Sequence, residues 1–192
     1  MKYDIVLAGV GGQGVISIAA IIASSAMKEG LHVKQAEVHG MSQRGGAVQS
    51  NLRLSDGEIH SDMVPKGTAD LLISMEPLES LRYLDYLSKE GTLFTASDPF
   101  LNIPNYPDLD GVLTKVRSLP RAVTVDAKKL ASEAGSSRAT NMVMVGAASH
   151  FLPIKPETLQ GWIESMFKRK GEKVVEANLK AFALGREIRT PM

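Results

Sequence analysis

Residues 3–14 read Tyr3-Asp4-Ile5-Val6-Leu7-Ala8-Gly9-Val10-Gly11-Gly12-Gln13-Gly14. Tyr3 to Ala8 is a short run rich in strand formers, ending at a glycine, and reads as a buried strand. Gly9, Gly11 and Gly14 then match G-x-G-x-x-G. Val15, Ile18, Ala19, Ile22 and Ala26 recur at helical spacing up to about Glu29, and Gly30 suits the helix end. Leu31 to Glu37 reads as a second strand. A strand, a glycine turn, a helix and a strand predict a parallel sheet with a right-handed crossover. The fold class expected is therefore α/β, a Rossmann-like three-layer sandwich with a mostly parallel sheet and C-terminal helices.

Outward from this unit, His39 to Gly46 is polar and glycine-rich and reads as a loop. Ala47 to Leu54 has period two, with Gln49, Asn51 and Arg53 alternating with apolar residues, which predicts a strand with one wetter face. Asp70 to Ser74 and Gly91 to Ala96 read as further strands. Between them Pro77 opens a helix carrying Leu78, Leu81, Leu84 and Leu87. Ser97 to Pro120, with Pro99, Pro104 and Pro107, is expected to be an irregular binding loop or lid. Ala122 to Val125 is a short strand, and Asp126 can cap the helix after it. Thr140 to Phe151 reads as a buried helix packed closely through small residues, Pro156 to Phe167 as another, and Val175, Leu179, Phe182 and Arg186 share one side of a last helix. No internal repeat or second domain is visible, and 192 residues suit one domain.

The glycine turn has a specific chemistry. Glycines permit the tight turn and let an anionic ligand approach the backbone, while the helix start presents free N–H groups to phosphate. Close helix–sheet packing is the other use of such glycines. Glu37 ends the second strand where a dinucleotide-binding acid would hold a ribose; a plain strand-end acid reads equally well. No G-K-[ST] follows the turn, and the G-D-G signature of thiamine diphosphate sites is absent.

Composition narrows the chemistry further. With 22 Lys+Arg against 21 Asp+Glu the net charge is +1, which makes no electrostatic case for nucleic acid or an anionic membrane. There are no cysteines, which excludes thiolate zinc sites, cysteine nucleophiles and cysteine-held iron–sulfur clusters from this chain. No apolar run approaches a membrane span and the N-terminus lacks signal-peptide features, so a cytoplasmic location is expected. His39, His60 and His150 are isolated, so no metal site is expected, and His150 reads as a satisfied core histidine.

The second informative stretch is Glu37-Val38-His39-Gly40-Met41-Ser42-Gln43-Arg44-Gly45-Gly46. Ser, Gln and Arg between glycines suit anion contact or a buried interface, and Arg44 offers a planar fork or simply a solvated cation. Taken with the glycine turn, with Ala69-Asp70-Leu71-Leu72-Ile73-Ser74-Met75-Glu76-Pro77-Leu78-Glu79 and with Asn141-Met142-Val143-Met144-Val145-Gly146-Ala147, it resembles the gamma-type subunit or domain of 2-oxoacid:ferredoxin oxidoreductases. The likeness is greatest to the small subunit of the indolepyruvate enzymes.

The resemblance implies that residues 1–192 form one pyruvate/ketoisovalerate oxidoreductase gamma-type domain. It implies a complex that oxidatively decarboxylates a 2-oxoacid, indolepyruvate or another aryl pyruvate, to an acyl-CoA and reduces ferredoxin. Thiamine diphosphate, magnesium and 4Fe-4S clusters would sit on a large partner subunit, in a hetero-oligomer that is not catalytic through this chain alone. On this chain the family associates the domain with coenzyme A. Gly9, Gly11, Gly12, Gln13 and Gly14 would contact its phosphates, and Asn141 would contact its polar groups or cap a helix. His39, Ser42, Gln43, Arg44 and Gly45 would shape an interface near the partner's active site. The competing readings are a free-standing nucleotide-binding protein, for which Glu37, His39 and Asp98 offer no paired catalytic set, and a scaffold subunit that binds no ligand.

Overall fold

The computed structural model describes residues 1–40, 45–101 and 103–188. Six strands form one mixed sheet: β1 (Lys2–Val10), β2 (His32–His39), β3 (Ala47–Ser55), β4 (Ala69–Ser74), β5 (Leu87–Ala96) and β6 (Ala122–Val125). Among the described residues seven α-helices accompany it: α1 (Val15–Lys28), α2 (Pro77–Arg82), α3 (Leu109–Arg117), α4 (Ala127–Glu133), α5 (Thr140–Ala148), α6 (Pro156–Phe167) and α7 (Glu172–Arg186). The strand order is β2-β3-β1-β4-β5-β6. The β1/β4, β4/β5 and β5/β6 pairs are parallel, whereas β3 is antiparallel to both its neighbours.

This order corrects the simple crossover. The helix does carry the chain from β1 to a strand of the same direction, but β3 lies between them. β1 pairs Ile5 with Leu52 of β3 on one side and with Leu71 of β4 on the other. β2 is left at the sheet edge as the outer arm of a β2–β3 hairpin.

Side-chain alternation sorts the core into two layers. Ile5, Leu7, Leu71, Ile73 and Phe94 face a thick layer built by α1, α4, α5, α6 and α7. Val6, Ala8, Leu72 and Leu93 face a thinner layer with Val64 and Val116. The sheet between these two layers supplies the third.

Four further expectations change. The polar side of β3 is buried, not wet, because residues 57–68 fold over it. Asn51 Oδ1 accepts from Val64 N, and Arg53 Nη1 donates to the Ser61 and Met63 carbonyls at 3.0 and 3.1 Å. Arg53 also grips buried Asp4, Nε to Oδ1, at 2.8 Å. The leucine helix stops at Arg82; a 3-10 turn carries Leu84 and Leu87 already begins β5. Residues 97–120 are not irregular throughout, since Asp108 caps the nine-residue α3 by accepting from Gly111 N. His150 is exposed, with its Nε2 3.0 Å from the Arg186 carbonyl oxygen. Asp126 does cap α4, and the close packing of α5 is literal. A Cβ on Gly146 would lie 2.1 Å from Phe182 O of α7, and one on Gly185 2.1 Å from Val143 O.

Candidate functional site

The turn after β1 is held open by its own residues. Gly12 and Gly14 have φ of +104° and +85°, a region that L side chains rarely adopt. Gln13 braces the turn from inside: Oε1 accepts from Val10 N at 2.8 Å, and Nε2 donates to the Met75 carbonyl at 3.0 Å. Its amide is therefore engaged by backbone, and its role is to hold the turn against the start of the β4–α2 connection. Gly9 is tight against its neighbours, where a Cβ would sit 2.9 Å from Val15 Cγ2. That glycine serves close packing, while Gly11, Gly12 and Gly14 line a cavity of about 450 Å³.

Two helices start here. Gly14 is the N-cap of α1 with no side-chain cap, and no acid occupies the first turn of that helix. α5 likewise begins at Ala139 without a side-chain cap or a first-turn acid. The two starts touch, because a Cβ on Gly14 would lie 3.0 Å from Asn141 Nδ2. Asn141 is thus not the helix cap. Its Oδ1 takes the Met142 N–H at 3.1 Å, and its Nδ2 is turned to the glycine turn. Backbone N–H groups and the positive ends of two helix dipoles converge at one place, which favours an anion.

On the β2 side the same cavity is lined by Glu37, His39 and Val48. Glu37 keeps 21% of its side-chain exposure, and the His39 Nε2 stands 4.0 Å from its Oε1. His39 Nδ1 lies 3.0 Å from the Gly40 carbonyl oxygen. The hairpin returns onto the turn through two backbone bonds, Gly11 N to Gly46 O at 2.8 Å and Gly45 N to Gly11 O at 3.2 Å. The structure therefore gathers Gly11, Gly12, Gly14, Glu37 and His39 around one opening, with Asn141 against Gly14 and Gly45 bonded to Gly11. Ser42, Gln43 and Arg44 lie outside the described residues. Asp98 lies apart from this set, spending its carboxylate on the Lys128 N–H at the start of α4.

A second cavity, of about 330 Å³, adjoins the first through Ser17, which lines both. Its other walls include Ser136, Arg138, Asn141 and Lys170. Sequence reading passed over Arg138 and Lys170. The signal was the polar run Gly135-Ser136-Ser137-Arg138 just ahead of the buried helix. Among the described residues no group of three or more His, Asp or Glu side chains gathers as a metal site, and no helix is long and apolar enough to cross a membrane.

Residues 4–188 match the family model for pyruvate ferredoxin/flavodoxin oxidoreductase. The chain is similar to the indolepyruvate oxidoreductase subunit IorB of Archaeoglobus fulgidus, with 37% identity over 194 residues, covering 96% of this chain and 94% of that one. Among solved structures it is similar to the gamma subunit of a keto/oxoacid ferredoxin oxidoreductase from Geobacter sulfurreducens. That likeness has a TM-score of 0.71 and 26% identity, and covers 96% of both chains. It also shares its fold with part of the 2-oxoglutarate:ferredoxin oxidoreductase from Magnetococcus marinus, solved with 2-oxoglutarate, coenzyme A and succinyl-CoA bound. There the TM-score is 0.76 and the identity 24%, over 99% of this chain and 32% of that one.

Proposed function

This chain belongs to the pyruvate ferredoxin/flavodoxin oxidoreductase family, and from that premise we propose that it is the coenzyme A-binding small subunit of an aryl pyruvate:ferredoxin oxidoreductase. It works as one gamma-type domain in a hetero-oligomer with a larger subunit. The preference for indolepyruvate or a similar aryl pyruvate rests on likeness to the IorB chain along nearly all of both sequences.

The observation that carries the coenzyme A reading is the meeting of two uncapped helix starts at Gly14 and Asn141. A pyrophosphate fits that place on physical grounds. The glycine backbone can be approached closely, N–H donors are free, and no acidic side chain stands in the first turn of either helix. The chain's own task is then to bind and orient the acceptor. Gly12 and Gly14 offer backbone N–H groups, Asn141 offers its Nδ2, Gln13 keeps the turn rigid from behind, and the Gly11 N–H is spent on the Gly46 carbonyl.

The redox groups do not fit here. With no cysteine, the chain has no thiolate for a cluster. Thiamine diphosphate, magnesium and the 4Fe-4S clusters are assigned to the partner, where they would supply decarboxylation and electron transfer to ferredoxin. His39, Ser42, Gln43, Arg44 and Gly45 are assigned to the face turned towards that partner.

Anaerobic purification of the tagged chain from its own cells, followed by calorimetric titration with coenzyme A, tests both halves. A co-purifying larger chain that is brown and binds thiamine diphosphate, with saturable coenzyme A heat abolished by Gly12→Val, is the expected result. A colourless chain isolated alone under gentle conditions would overturn the subunit reading. A complex without saturable coenzyme A heat would leave this chain a scaffold.

A further inference from the structure

The two adjoining cavities differ in charge, and the difference gives the site a direction. The cavity at the glycine turn carries one acid, Glu37, on its β2 side. The cavity beyond Ser17 carries two cations, Arg138 and Lys170, with Ser136, Asn141 and Asn178 as neutral polar neighbours and no acid in its lining. Among the described residues neither Arg138 nor Lys170 has an ion-pair partner. Both side chains are exposed, and the Lys170 ammonium stands 5.2 Å from the centre of the Phe167 ring. Asn178, only 4% exposed, is fixed by an Nδ2 bond to the Val174 carbonyl at 2.7 Å.

Coenzyme A carries a pyrophosphate in its middle and a separate phosphate monoester on its ribose. A dianionic monoester placed against Glu37 would be repelled, whereas an arginine fork and an ammonium suit it well. Resting on the coenzyme A reading above, we infer that the basic cavity at Arg138 and Lys170 is a subsite for the ribose phosphate monoester. The nucleotide then enters with its 3′-phosphate on the α5–α7 side of Ser17. The pyrophosphate crosses the start of α1, and the pantetheine arm leaves past Glu37 and His39 towards the hairpin.

The test is calorimetric titration of the assembled complex with coenzyme A and with dephospho-coenzyme A, which lacks only the monoester. Wild type is expected to bind coenzyme A at least about tenfold tighter, as removal of a charge-assisted contact pair predicts. The Arg138→Gln/Lys170→Gln double variant is expected to bind both alike, with its affinity for dephospho-coenzyme A unchanged, which also shows that the turn is intact. Arg138→Lys, which keeps the charge, is expected to keep part of the preference. Equal binding of the two nucleotides by wild type would overturn the subsite while leaving the coenzyme A reading standing. So would a double variant that still discriminates, or one that loses both nucleotides together. Failure of wild type to bind either would remove the coenzyme A reading itself, and the subsite with it.

Discussion

At Gly14 one residue satisfies two demands. Its φ of +85° suits glycine, and the space where a Cβ would go is held by the Asn141 amide, 3.0 Å away. Gly12 meets only the first demand, because nothing lies within 4 Å of its would-be Cβ. Gly12→Ala is therefore expected to cost about 1–2 kcal/mol through strain alone. Gly14→Ala costs more and also displaces Asn141; thermal unfolding of the two variants distinguishes them. Gln13→Ala leaves the Met75 carbonyl without its donor and the Val10 N–H without its acceptor, and is expected to cost about 1–3 kcal/mol. Behind the turn, burial pushes the Glu79 carboxyl above its ordinary 4.5, against the opposing pull of Arg82. Arg82 Nε donates to Oε1 at 3.2 Å, while Oε2 has no hydrogen bond. A carboxyl with a raised value binds its proton more readily folded than unfolded. Its favourable contribution is full at acid pH and is lost as pH rises through the folded value. Glu79→Gln is thus expected to melt higher than wild type at pH 7, with the difference closing as pH falls towards 4.5. Glycine spacing was legible here from the sequence alone. The role of Gln13 was not, because its partners come from Val10 and from Met75, 62 residues away.

Helices and strands that carry their own period were readable. α1 and α6 start where the pattern puts them, and α6 runs from Pro156 to Phe167 as read. The misreadings arose where a local signal met a distant neighbour. Four prolines at 99, 104, 107 and 120 suggested an irregular run, yet Asp108 starts a helix between them. Gln49, Asn51 and Arg53 alternate like a wet strand face, yet Gln49 bonds to Asn51, and residues 57–68 supply partners to Asn51 and Arg53. Arg53→Ala is expected to cost up to about 3 kcal/mol, because Asp4 is 1% exposed and would keep only the Lys2 ammonium at 2.9 Å; urea unfolding measures it. The α5–α7 pair rests on Gly146 facing the Phe182 backbone and Gly185 facing the Val143 backbone. Gly146→Ala forces the helices apart, so it is expected to lower the melting temperature more than any exposed helix substitution. The segment after β5 is tied down differently. Tyr106 Oη donates to Glu76 Oε1, and the Phe100 N–H donates to the same oxygen at 3.3 Å. Tyr106→Phe is expected to cost about 2 kcal/mol and to speed proteolysis within residues 97–108.

For the molecule as a whole, strand order was the part that local pattern could not contain. The insertion of β3 between β1 and β2 pairs residues 37 to 53 apart in sequence, and β1 is buried along most of its length. One result is that the loops after β1, β2 and β5 all leave the same edge of the sheet. Along that edge Ile16, Val38, Leu101 and Ile103 are 58, 50, 74 and 43% exposed. On the subunit reading proposed above, Leu101→Asp/Ile103→Asp is expected to weaken assembly with a larger partner chain without changing the melting temperature of the isolated small chain; size-exclusion chromatography of the mixed chains reads it. The bonds between Gly11 and the pair Gly45 and Gly46 then tie two events to one piece of backbone. A protein seated on the hairpin and a nucleotide seated on the turn both act on Gly11. By thermodynamic reciprocity, whatever factor docking applies to nucleotide affinity, the nucleotide applies to docking. On the coenzyme A reading proposed above, these two hydrogen bonds would link nucleotide at the turn to whatever docks on the hairpin.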